Sequence, residues 1–207
     1  MNKSKILYSI FFIFLFGIII IISFYETNSA YSQRVLQTYE NDKYGIKIQY
    51  PANWLSYEYG KNFLTETREL VVGFHPVEKG GPNISLEVQF LSPENATLQS
   101  FTENEVKSIQ TPLAKGQMGQ LGIKILNQNS SVTLGGLPAH KVIYENTVTD
   151  TLSADTFGQS RTYKNMEIWT VLETEAYQLI FLSKDKEQYD QYLNTAEKII
   201  NSFEFTR

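Results

Sequence analysis

The sequence predicts an α+β domain in which helices pack on an antiparallel β-sheet, and three observations carry that expectation. First, Tyr189, Tyr192, Leu193, Ala196, Ile199, Ile200 and Phe203 recur at spacings of three and four near the C-terminus, with Asp190, Gln191, Asn194, Glu197, Lys198 and Asn201 opposite them. That is an amphipathic helix whose single apolar stripe lies flat on a sheet. Second, Ala176–Ser183 sets Tyr177, Leu179 and Phe181 on one face and Ala176, Ile180 and Leu182 on the other, so both faces of this strand need cover and it belongs in the middle of a sheet. Third, alternating segments separated by turn residues recur along the chain, and hairpins with helices between and after them favour an antiparallel sheet over a parallel one.

Taken in order, Ile6–Phe24 is an uncharged apolar run of about 19 residues, close to the ~20 that a helix needs to span a bilayer. Lys3 and Lys5 precede it, which orients that end toward the cytoplasm and the remainder outside. A retained single-pass anchor over residues 1–25 is the expectation. The alternative is a signal peptide cleaved near Asn28-Ser29-Ala30, which would leave a secreted protein. Residues 26–38 read as a linker and residues 39–207 as one globular domain.

Within that domain, Tyr39–Pro51 reads as a hairpin turning at Asn41-Asp42, with Pro51 stopping the strand and Trp54 as a buried anchor. Leu70–Phe74 and Ile84–Leu91 are strands, the second half-buried by alternation, and His75-Pro76 begins a loop between them. Leu98–Gln110 is a helix capped by Thr97 or Asn95, with Leu98, Phe101, Val106 and Ile109 on its inner face and Pro112 ending it. Leu113–Gln120 is a loop. Ile123–Ser131 and Ala139–Thr147 are strands joined by the turn Gly135-Gly136-Leu137-Pro138, and Thr149–Ser160 is a polar loop. Thr162–Leu172 pairs with the central strand, and Asp185 caps the last helix by accepting from the Gln188 N–H. The expectation is about seven strands and two helices.

Composition narrows the function classes. With 18 basic and 22 acidic residues the formal charge is −4, which disfavours nucleic acid as a partner. No cysteine is present, so thiol catalysis, Cys-ligated zinc, disulfides and a lipid-modified cysteine are all excluded.

Neither histidine, His75 or His140, lies in a Gly-x-Ser-x-Gly or His-x-x-x-His context, and both read as packing residues. The acid pairs Glu66/Glu69, Glu103/Glu105, Glu173/Glu175 and Asp185/Glu187 lack the spacing of a calcium loop and read as solvated turn charges, with Asp185 a cap. Gly116, Gly119 and Gly122 follow a helix and precede a strand, the reverse of a phosphate-binding glycine run. No catalytic, cofactor-binding or metal-binding residue is therefore assigned, and no cofactor is named. Tyr57, Tyr59 and Phe63, with Phe157 and Tyr163, are expected mostly in the core, and any exposed cluster of them would mark a docking patch. Asn83, Asn95 and Asn129 each head a glycosylation sequon; Asn83 and Asn95 flank one strand, where a glycan would sit at the sheet edge.

Three stretches, YGIKIQYPANW (Tyr44–Trp54), GGLPAHKVIY (Gly135–Tyr144) and YDQYLNTAEKIINSFEF (Tyr189–Phe205), together resemble the PsbP-like family, whose named member is an extrinsic lumenal protein of photosystem II. The resemblance spans roughly Tyr39–Phe205. It implies an α-β-α sandwich and an accessory or assembly role on the extracytoplasmic face of a membrane complex. The apolar N-terminus and the lack of a thylakoid-type transit region depart from the photosynthetic proteins, so a photosynthetic role does not carry over, and the family pattern transfers no catalytic residue. The expected function is a membrane-anchored, extracytoplasmic, non-enzymatic module that binds or stabilises a membrane protein complex, with the lipid bilayer as its other partner. The alternative is a cation- or small-ligand-binding domain at the outer membrane face.

Overall fold

A computed structural model of the chain describes residues 35–59, 67–111, 120–149 and 158–207. The segment Ile6–Phe24, the residues Phe63, Glu66, Pro112, Gly116, Gly119 and Phe157, and most of the two polar loops lie outside the described residues. Among the described residues, no helix is long and apolar enough to cross a membrane. The chain divides into two compact units, Met1–Gln37 with Pro51–Asn53, and Thr38–Tyr50 with Trp54–Arg207. Of the first, residues 35–37 and 51–53 are described, held by the Ala52 N–H donating to the Val35 carbonyl at 2.8 Å. The second carries the sheets and the helices.

Its strands are β1 (Leu36–Asn41), β2 (Ile46–Pro51), β3 (Trp54–Glu58), β4 (Arg68–Pro76), β5 (Asn83–Phe90), β6 (Gln120–Leu134), β7 (Leu137–Thr149), β8 (Ser160–Leu172), β9 (Glu175–Leu182) and β10 (Glu204–Phe205). The helices are α1 (Leu98–Gln110) and α2 (Lys186–Asn201). A seven-stranded antiparallel sheet has the order β3-β4-β5-β9-β8-β7-β6, and a three-stranded sheet the order β1-β2-β10. The strand read as central is central: β9 lies between β5 and β8, with Leu179 opposite both Leu86 and Ile168.

One face of the large sheet is covered by α2, which crosses β8 and β9. Tyr189, Ala196, Ile199, Ile200 and Phe203 bury there against Leu86, Leu179, Phe181 and Ile168, joined by Ile46 and Ile48 of β2. The cap forms as expected, with the Gln188 N–H donating to Asp185 Oδ1 at 2.7 Å. On the other face α1 lies across β6, β7 and β8 and buries Phe101 against Trp169, Val142 and Tyr144. The Thr97 hydroxyl caps α1 by accepting from the Ser100 N–H at 3.1 Å. Helix, sheet and helix thus make three layers. Leu193 is only half-buried beside the α2 core. Leu193→Ala is therefore expected to cost about 2 kcal/mol, the low end of the range for such truncations, by urea denaturation; an unchanged midpoint would mean that the stripe is not core.

Several expectations need correction. Among the described residues ten strands form, not about seven, and they form two sheets. β3 has no clean alternation and β10 is only two residues long; each exists because a partner strand supplies its hydrogen bonds, Trp54 opposite Pro76 and Phe205 opposite Ile46. β1 starts at Leu36, inside the segment read as linker. His75 is not in a loop: it pairs with Leu55 in β4, because Pro76 at the strand end forfeits only one donor. β5 keeps the expected alternation over Ile84, Leu86 and Val88, which are buried while Glu87 and Gln89 are half-buried, but Ser85 is buried as well and Phe90 at the strand end is exposed. The turn between β6 and β7 is only Gly135-Gly136, at φ 58° and 80°, and Leu137 and Pro138 already belong to β7. β6 and β7 are also longer than expected at both ends.

Candidate functional site

Among the described residues, the face of the sheet that carries α1 is not covered from end to end, and its two halves differ in chemistry. Under α1, alternation along β5, β8 and β9 points Glu87, Glu167 and Gln178 toward the helix, and Glu105 of α1 meets them from above. Glu167 is 6% exposed; its Oε1 accepts from the Tyr144 hydroxyl at 2.5 Å and its Oε2 from Gln178 Nε2 at 2.6 Å. Burial pushes the Glu167 carboxyl up to about 7, the donated bond from Tyr144 opposes that rise, and the nearby Glu105 and Glu87 carboxylates add to it. Burial likewise raises Glu87 and Tyr144.

The single cation of the cluster is Arg68. It donates to Glu105, bonds Gln89 Oε1 through Nε at 3.0 Å, and lies 3.5 Å from Glu87. One guanidinium therefore faces three carboxylates, and burial together with the Glu105 and Glu87 charges favours the protonated form of Glu167. Sequence reasoning did not single out Glu167. Its signal was a carboxylate inside the otherwise uncharged run from Met166 to Leu172.

Beyond the reach of α1, the same face opens over β3, β4, β5 and the end of β9. Leu55, Tyr57 and Leu182 are 49%, 36% and 41% exposed there. The Tyr57 ring lies on Gly73, where an added Cβ would stand 2.5 Å from Tyr57 Cζ. Its hydroxyl donates to Asn83 Oδ1 at 3.0 Å and meets the Tyr59 hydroxyl, and its ring centroid is 4.7 Å from that of Tyr59 and 5.4 Å from that of His75. Tyr57 is thus an exposed aromatic ring held in place from four sides. Of the aromatics expected mostly in the core, Tyr57 is exposed, whereas Tyr59 and Tyr163 are half-buried.

The other sequence-derived candidates are placed apart. His140 is buried in β7, bonded through Nδ1 to Ser130 Oγ at 2.9 Å and packed 5.3 Å from the Trp169 ring, and its burial lowers its basicity. Glu69 binds Lys43 and Tyr44, Glu175 binds Arg207 and Tyr177, and Glu103 accepts from Gln99. Among the described residues, no group of three or more carboxylates and histidines is arranged to hold a metal ion. Gly122 lies in β6 opposite Thr147. Of the sequon asparagines, Asn95 is exposed in a short 3-10 turn and Asn129 is half-buried on the edge strand β6. Asn83 is half-buried at the start of β5, an interior strand, so it is not at the sheet edge.

No protein-family model and no curated protein sequence matches the chain. Among solved structures, the cyanobacterial PsbP (CyanoP) of Synechocystis sp. PCC 6803 superposes with a TM-score of 0.55 at 14% identity, covering 82% of this chain and 92% of that one. The chain has a PsbP-like fold. LpqN of Mycobacterium tuberculosis, a protein involved in cell envelope biogenesis, covers 86% of this chain at 14% identity, with 96% of its own length matched and a TM-score of 0.44. The Saccharomyces cerevisiae Ran-binding protein Mog1p covers 83% at 12% identity, with 96% of its own length matched and a TM-score of 0.41.

The PsbP-like fold explains why the three resembling stretches go together. They touch one another: Ser202 Oγ accepts from the Gln49 N–H at 2.8 Å, and Trp54 meets Tyr192 at 6.0 Å between ring centroids. At Gly135, a Cβ would lie 2.7 Å from the Phe205 ring at a backbone φ of 58°. They are packing motifs, and neither the acidic cluster nor the Tyr57 platform lies within them.

Proposed function

We propose that this chain is a membrane-anchored, extracytoplasmic, non-enzymatic accessory module that binds or stabilises a membrane protein complex. The observation that carries the reading is the Leu55–Tyr57–Leu182 patch: exposed apolar side chains around an immobilised tyrosine, beside a face that is otherwise closed by α1. Rigid aromatics in apolar surroundings are the residues that anchor protein interfaces, because little side-chain entropy is lost when a partner covers them. The apolar run Ile6–Phe24, preceded by lysines, supports tethering with the domain outside, and the PsbP-like fold is compatible with an accessory role.

The test is crosslinking of the full-length protein in its native membranes, followed by affinity purification. A stoichiometric membrane partner is expected with the natural sequence. With Tyr57→Ala, recovery of that partner should fall about tenfold or more, the usual effect of losing an interface anchor, while the melting temperature stays within a few degrees. Gly73→Ala, which displaces the Tyr57 ring without removing it, should act in the same direction. Recovery of the protein alone, or a partner indifferent to both substitutions, would overturn the reading.

A further inference from the structure

Between α2 and the far half of the sheet lies a cleft of about 280 Å³, on the face opposite the aromatic patch. Val132 of β6, Met166 and Ile168 of β8, and Ile200 of α2 give it an apolar floor, with the polar Thr133 of β6 and Asn201 of α2 beside them. Its rim carries one charge of each sign. Lys141 of β7 and Glu197 of α2 face each other with Nζ and Oε1 4.0 Å apart, at the outer limit of ion-pair contact, and their side chains are 25% and 47% exposed. A loose, exposed pair of this kind adds little to stability and is readily opened.

The geometry points to a site for a small zwitterion with an apolar tail, an aliphatic α-amino acid in the simplest case. A ligand that bears an ammonium and a carboxylate on one carbon presents its two charges a few ångström apart. It can therefore insert into the Lys141–Glu197 pair, its carboxylate on Nζ and its ammonium on the Glu197 oxygens, while its side chain covers the floor. A purely anionic or purely cationic amphiphile meets one partner and is repelled by the other. The volume falls just below the roughly 300–1,000 Å³ of sites for drug-sized ligands, which suits a molecule of this size. This site is independent of the proposed protein-binding patch.

Among the described residues Met166 is the methionine that lines the cleft, so its methyl carbon is a local reporter. Full-length protein labelled with 13C-methyl methionine, in nanodiscs, would be titrated with L-leucine, with 4-methylpentanoate, which lacks the ammonium, and with leucinamide, which lacks the carboxylate. Leucine should shift the Met166 signal saturably. Each analogue should bind at least tenfold more weakly, and Lys141→Gln and Glu197→Gln should each weaken leucine to a similar extent. A Met166 signal that is unmoved by leucine, or that responds equally to all three compounds, would overturn the assignment.

Discussion

Truncating Trp169 to alanine is expected to lower the unfolding free energy by about 3–5 kcal/mol, among the largest effects of any single substitution in this domain. Trp169 has no exposed surface, lies in β8 beneath α1, meets Phe101 edge-on at 6.3 Å and donates its indole N–H to Thr102 Oγ1 at 2.9 Å. It is therefore the residue on which α1 is seated, and its loss leaves both a cavity and an unpaired Thr102 hydroxyl. Trp169→Phe keeps most of the volume and removes the N–H, so it should cost less, with about 1 kcal/mol of that loss due to the hydrogen bond. Urea denaturation of both variants would show the difference. A Trp169→Ala loss below 1 kcal/mol would mean that α1 does not depend on this contact.

The second large effect is a loss of stability on raising the pH through the range where most proteins are insensitive to it. The folded-state value for Glu167, about 7, lies above the 4.5 of a free glutamate, so the folded protein holds this proton more tightly than the unfolded chain does. The corresponding stabilisation is present in full below about pH 4.5 and is lost as the pH rises toward 7. At 1.36 kcal/mol per pH unit this amounts to about 3 kcal/mol. Glu87, whose carboxyl is also raised by burial, contributes in the same direction. The groups facing Glu167 are Tyr144 of β7, Gln178 of β9, Glu87 of β5 and Glu105 of α1, with Arg68 of β4 on the last two. Glu167→Gln should abolish most of the decline and be more stable than the natural protein at pH 8. Urea midpoints measured from pH 4.5 to 8 test this, and a stability that rises over that window would show that Glu167 is ionised in the folded state.

These two residues illustrate which parts of the protein were legible beforehand. Trp169 sits in a strand that the sequence paired with the central one, and its burial follows from that place. Glu167 is its near neighbour in the same strand, yet its unusual proton affinity depends on Glu87 and Glu105, which are distant in sequence and converge on it only when β5, β8 and α1 are assembled.

The sequence by itself determined the α+β class, the central place of Ala176–Ser183, both α-helices with the Asp185 cap of the second, and the PsbP-like resemblance, while the structure chose Thr97 over Asn95 as the cap of the first. What the sequence determined is written in periods of two or 3.6 residues, in caps, or in turn glycines such as Gly135, all of which act within a few residues of chain. Only the tertiary structure decided that Trp54–Glu58 and Glu204–Phe205 are strands, that His75 lies in one, that the Tyr57 ring rests on Gly73 in the open, and that Lys141 and Glu197 share the rim of a cleft. Those features are made by partners that are close in space and far apart in the chain, and local pattern carries no information about which strand edge or which side chain will arrive.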